Sequence, residues 1–140
     1  MIWLKRCITA LCGLAGLITP AAASDGGLAG RWRSPDLSGI VEIYQCGAAY
    51  CGRIVGGAFN PDMRDTRNRN PALRNRTIQG LLIMTGFVGG PPSWTGGRIY
   101  RPLDGGTYSG SITLVGGNAL HLKGCIVWPL CRTQTWHRIP

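Results

Sequence analysis

The stretch TYSGSITLVGGNALHLKGCIV, residues 107–127, decides the fold. In its first half Tyr108, Gly110, Ile112 and Leu114 alternate with Ser109, Ser111 and Thr113. After Gly116-Gly117-Asn118, Leu120, Leu122 and Ile126 alternate with Ala119, His121, Lys123 and Cys125. A period of two is the signature of strands with one buried face, and a Gly-Gly-Asn break between two such runs reads as a hairpin turn. This is antiparallel sheet.

The same pattern extends in both directions. Strands are predicted near Gly30–Ser34, Gly39–Cys46, Tyr50–Gly56, Leu81–Phe87, Thr95–Arg101, Thr107–Val115, Ala119–Val127 and Cys131–Arg138. Asp36-Leu37-Ser38-Gly39 and Asp104-Gly105-Gly106 supply further turns. Eight regularly spaced strands with almost no helical periodicity predict an all-β chain, a single eight-stranded up-and-down barrel, with a sandwich as the other architecture. One long segment, Ala58 to Gly80, breaks the rhythm and holds Arg64, Arg67, Arg69, Arg74 and Arg76. Within it Asn70-Pro71 is a cap and first-turn signal for a short helical turn through Leu73 and Arg74.

The N-terminus reads as an export signal. Lys5 and Arg6 precede an apolar run from Cys7 to Ile18, Pro20 breaks it, and Ala21-Ala22-Ala23 offers small residues for cleavage before Ser24. The run is shorter than the roughly 20 residues that span a bilayer, so no transmembrane segment is expected after cleavage. Residues 1–23 are thus assigned to a cleaved signal peptide and 24–140 to one barrel domain, periplasmic or secreted. The mature part keeps thirteen basic residues against six acidic ones, and twelve of the thirteen are arginine. Arginine offers a planar fork suited to carboxylate or phosphate. Nucleic acid fits the charge but not the compartment.

Four cysteines remain after cleavage: Cys46, Cys51, Cys125 and Cys131. An even count in a small exported domain reads as two disulfides. Each local pair, Cys46 with Cys51 and Cys125 with Cys131, brackets a turn and can clip neighbouring strands. Without a CxxC the spacing suits zinc poorly, so no metal or cofactor is expected.

No catalytic residue is predicted. His121 and His137 fall on the outer face, no carboxylate pair is evident, and there is no Gly-x-Ser-x-Gly elbow. The glycine pairs are not followed by helices and do not read as phosphate loops. Pocket candidates are Trp32, Tyr108, Arg132, Gln134 and Trp136. If Cys131 points outward to meet Cys125, then Arg132, Gln134 and Trp136 point inward. A bulge in the last strand resets that parity and turns Arg132 outward, which is the preferred reading of that one residue. Trp94 and Trp128, like Trp136, read as core or pocket wall. The Arg64–Arg76 loop is either a solvated basic loop or a surface that docks anions.

Several ordered motifs carry a resemblance: Gly30-Arg31-Trp32, then Asn70-Pro71-Ala72-Leu73-Arg74-Asn75-Arg76 leading to Gly80-Leu81. Gly97-Arg98-Ile99-Tyr100-Arg101-Pro102 with Asp104-Gly105-Gly106-Thr107-Tyr108 follows, and Arg132-Thr133-Gln134-Thr135-Trp136-His137-Arg138 closes the set. Together they resemble bacterial domain-of-unknown-function family 2147, small exported proteins with calycin-like (lipocalin-like) barrels. The chain departs from that pattern at Thr77-Ile78, where a proline-leucine pair is usual, and at Cys131, where many members have glycine. The resemblance implies a fold and a compartment, not an established activity. It also implies that Trp32, in a Gly-x-Trp on the first strand, and Arg138 on the last stack to close the barrel.

Two functions remain open. One is an exported, non-enzymatic barrel that binds a small apolar or amphipathic ligand in the cell envelope. The other is an envelope interaction protein that docks anionic lipid or polymer through the Arg64–Arg76 loop. The sequence leaves the oligomeric state undetermined.

Overall fold

The computed structural model describes residues 13, 15–17 and 27–140. The predicted signal peptide and its cleavage site lie outside these residues, apart from four isolated positions. Eight strands follow in order: β1 (Gly30–Arg33), β2 (Ile40–Cys46), β3 (Ala49–Gly56), β4 (Leu82–Gly90), β5 (Ser93–Arg101), β6 (Gly106–Val115), β7 (Ala119–Val127) and β8 (Leu130–Ile139). Each pairs antiparallel with the next, and β8 returns to β1, so the sheet closes as an up-and-down barrel. Closure removes both exposed sheet edges, which would otherwise be free to pair with other chains.

All eight predicted strands are present, and the differences lie at their ends. The hairpin of β4 and β5 runs further than predicted, because Val88, Gly89 and Gly90 pair with Thr95, Trp94 and Ser93. Pro91 and Pro92 alone make the turn. Glycines that read as loop in sequence are here ladder residues of a hairpin in unbroken register.

The two ends of the barrel differ. At one end the connections are short: residues 47–48, 91–92 and 116–118. The half of the barrel beside them is filled by Trp32, Trp94, Phe87, Met84, Ile43 and Ile112, all essentially inaccessible to solvent. Glycines on the inner wall make that packing possible. A Cβ on Gly97 would lie 2.4 Å from the Phe87 ring, and one on Gly110 would lie 2.6 Å from Ile99 Cδ1. Large side chains interleaved with bare backbone reach close-packed density inside a narrow barrel.

The seam between β1 and β8 seals this end. Trp32 and Arg138 are direct partners in the ladder. The guanidinium carbon lies 4.2 Å from the indole centroid, in cation–π contact. Arg138 also donates to the carbonyls of Ala29, Gly27 and Gly117, and Trp32 Nε1 donates to Leu28 O at 3.0 Å. The arginine thereby ties the segment before β1 to the β6–β7 turn.

Both predicted disulfides are present. Cys46 and Cys51 have Cα atoms 5.8 Å apart, and Cys125 and Cys131 face each other in the β7–β8 ladder at 4.0 Å.

Candidate functional site

The other end of the barrel is open. Here the connections are residues 34–39, 57–81, 102–105 and 128–129, and between them lies a cavity of about 550 Å³. Its walls are apolar side chains from most of the strands, including Val41, Ile54, Ile83, Ile99 and Leu122, with Trp136 deeper in. Leu37, Phe59 and Ile78 line it from the loops. At Gly124 the wall is bare backbone, and a Cβ there would meet nothing closer than Tyr108 Cβ at 3.5 Å.

A polar cluster rims the mouth. Arg101 grips Asp36 through two hydrogen bonds, Nε to Oδ2 at 2.9 Å and Nη2 to Oδ1 at 3.2 Å. Its remaining nitrogen, Nη1, reaches Asp104 Oδ2 at 3.0 Å. Tyr108 donates its hydroxyl to the same Asp104 oxygen at 2.5 Å, and Gly106 N donates to the other at 2.7 Å. Burial pushes both carboxyls up, but these partners outweigh it and hold both below the ordinary value of 3.8. Two bonded carboxylates hold the Arg101 guanidinium in its charged form. Gln134 accepts from Trp136 Nε1 at 3.0 Å and helps to lower the Asp36 carboxyl, which links rim to floor.

Arg132 stands apart. It lines the mouth and lowers the Asp36 carboxyl through its charge, yet it forms no ion pair among the described residues. The preferred reading that put Arg132 outside is corrected here. The register shift between β7 and β8 falls between Cys125 and Val127, so inward parity along β8 runs unbroken through Arg132, Gln134 and Trp136. Tyr108 also lines the cavity. Trp32 does not: it belongs to the sealed end, so its place in the pocket set is corrected, while its closing role with Arg138 is present. The other tryptophans separate, Trp94 into the core and Trp128 to an exposed tip, at 78% exposure.

Residues 30–138 match the family described as "Uncharacterized protein conserved in bacteria (DUF2147)". The chain belongs to that family. Its fold is also similar to a solved structure from Helicobacter pylori, protein HP1028, described as belonging to the lipocalin family. That similarity has a TM-score of 0.74 and 23% identity, over 81% of this chain and 83% of the other. No curated protein matches the sequence.

In this DUF2147 member the long arginine-rich loop is folded, not loose. At its centre lies Asp65, fully buried. It accepts from Tyr100 Oη at 2.5 Å, Asn68 Nδ2 at 2.9 Å and Arg76 Nε at 3.0 Å. Burial, and then the hydrogen bond to Asp65, push the Tyr100 phenol up to about 12. Asn70 caps the 3₁₀ turn Pro71–Leu73, as predicted, by accepting from Ala72 N at 3.1 Å. The loop rests on the β5–β6 turn so closely that a Cβ on Gly105 would fall 1.9 Å from Arg67 O, and the φ of +70° there also demands glycine.

Three of the five anion-docking candidates also make bonds inside the loop. Arg64 donates to Asn75 O, Arg74 to Asn68 O, and Arg76 bridges Asp65 and lies over the Tyr100 ring. Three of the five hold the loop together. Arg67 and Arg69 remain exposed, with no side-chain hydrogen bond or ion pair among the described residues. The sequence reading missed Asp65, whose partner Tyr100 lies 35 positions away.

Proposed function

We propose that the protein is an extracytoplasmic, non-catalytic binding protein that holds a small apolar or amphipathic molecule in the open half of its barrel. The observation that carries this reading is the cavity of about 550 Å³. That volume lies within the roughly 300–1,000 Å³ range of small-molecule sites, and apolar walls below a few convergent polar groups are the usual design of such sites. Arg132 offers an unpaired cation to the polar end of an amphipath, while Arg101 is already committed to two carboxylates. Two disulfides and membership of a bacterial family support an oxidising compartment outside the cytoplasm. The N-terminal pattern of charge, apolar run and small residues supports the same location.

The test is a titration with a dansyl-labelled fatty acid, compared with a variant whose cavity is filled. Gly124→Leu places a side chain in the cavity from a wall position with no close neighbour. The expected result is saturable binding by the wild type and a loss of about tenfold or more in Gly124→Leu, with melting temperature preserved. Binding that survives in a folded Gly124→Leu protein would refute the cavity as the site.

A further inference from the structure

The β7–β8 connection carries the most exposed apolar cluster of the barrel. Ile126, Val127, Trp128 and Leu130 are 74%, 62%, 78% and 64% exposed, and Pro129 is exposed between them. Cys125 and Cys131 clamp the base of this hairpin, and Val127 pairs with Leu130 above the disulfide. A two-residue turn at the end of a clamped hairpin is a rigid, convex tip. It stands at the mouth of the cavity, where Ile126, Pro129 and Leu130 form part of the lining. Solvent-exposed apolar surface of this kind marks an interaction site, and tryptophan is the residue most at home between hydrocarbon and water.

The distribution of charge identifies what the tip meets. The connections at the sealed end, residues 47–48, 91–92 and 116–118, contain no charged residue. The open end carries Arg64, Arg67, Arg69, Arg74 and Arg76 in the long loop, with Arg101 and Arg132 on the rim. Its four aspartates are Asp36, Asp62, Asp65 and Asp104, and all but Asp62 are bound by Arg101 or Arg76. Leu37, Met63 and Leu73, each more than a third exposed, add apolar surface to the same end. A convex apolar tip at the same end of the barrel as exposed Arg67 and Arg69 matches a bilayer with anionic head groups. A second copy of the chain would bring the same positive charges together.

We infer that the Ile126–Leu130 tip inserts into the surface of an anionic lipid bilayer, with Arg67 and Arg69 of the same barrel end on the head groups and the cavity mouth turned toward the membrane. The tip needs no folding on contact, because the disulfide has already fixed it, so little ordering cost opposes insertion. This inference stands apart from the cavity reading, since a filled barrel would dock equally well.

Flotation of the purified, disulfide-intact protein with vesicles tests it, using phosphatidylcholine with phosphatidylglycerol and phosphatidylcholine alone. The wild type is expected to float with the anionic vesicles and to be released by salt. Trp128→Ser combined with Leu130→Ser should cut that partition by about tenfold or more without lowering the melting temperature. Trp128→Phe should retain binding, but brominated lipid, which quenches wild-type emission, should no longer quench it. The other described tryptophans, Trp32, Trp94 and Trp136, are at most 3% exposed. Gly124→Leu should float like the wild type. A wild type that stays in solution, a double variant that floats undiminished, or binding indifferent to phosphatidylglycerol would overturn the inference. So would a dimer that forms with concentration and is dispersed by the double variant.

Discussion

Trp32 and Arg138 face each other across the β1–β8 seam, with the guanidinium 4.2 Å above the indole ring. The pair does two jobs at once. The indole fills the sealed half of the barrel, and the guanidinium collects the carbonyls of Gly27, Ala29 and Gly117. The only strand of four residues, β1, is thereby held on both sides despite its short ladders.

Truncation of this pair should be costly and coupled. Trp32→Ala removes a fully buried indole and should destabilise by about 3–5 kcal/mol. Arg138→Ala should cost less, since its stacking contributes about 0.5–2 kcal/mol and water can reach part of the exposed carbonyl set. Denaturant unfolding of the double-mutant cycle should show a coupling between the two residues. Strictly additive losses would mean that the stack does not contribute.

The loop centre makes a second prediction. Asp65 is a buried carboxylate whose three donors converge from Asn68, Arg76 and Tyr100. Asp65→Ala takes the acceptor from the buried Asn68 amide and the Tyr100 hydroxyl and should cost about 1–3 kcal/mol for each group left unsatisfied, while the partly exposed Arg76 can turn to water. The damage should be local before it is global. Limited trypsin digestion of the native state should cut the variant after Arg67 or Arg69 under conditions where the wild type is intact.

The same geometry separates the loop arginines by function. Arg67→Gln with Arg69→Gln should leave the melting temperature within about 1 °C, as expected of exposed charges that form no ion pair among the described residues. Arg76→Gln should lower it, because Asp65 then loses its ion pair. If the double variant and Arg76→Gln melt alike, the loop is not organised around Asp65.

Most of the barrel was legible because its physics is local. A period of two, glycine-rich turns and paired cysteines each act within a few residues, and the hairpin of residues 107–127 shows the first two. Gly-x-Trp on the first strand and arginine on the last were legible through the family resemblance. Asp65 was not, since nothing in an arginine-rich loop says which aspartate will be buried against a tyrosine 35 positions on. The sequence left two orientations for Arg132, a pocket candidate, because it shows that a bulge is possible but not its place, which is beside Ile126 on the β7 side. Trp128 carried a readable signal. Five residues between two cysteines that clip a hairpin have no core within reach.

Stability should depend on pH at both extremes, with opposite signs. Asp36 and Asp104 titrate below 3.8 in the folded chain, because Arg101 and its neighbours outweigh the burial that raises them. Below that value the unfolded chain binds protons that the folded chain refuses. The stability the two groups contribute at neutral pH is therefore lost as pH falls through their folded values. The melting temperature should drop below about pH 4, and Asp36→Asn should flatten the drop. Tyr100 works the other way: its phenol rises from 10.0 to about 12, first through burial and then through Asp65. Its contribution is complete below pH 10.0 and disappears as pH climbs toward 12, because the unfolded chain releases the proton first. Tyr100→Phe should reduce the alkaline slope without altering the acid one. An ultraviolet titration of the native protein in which every tyrosine ionised near pH 10.0 would show that Asp65 does not hold the phenol proton.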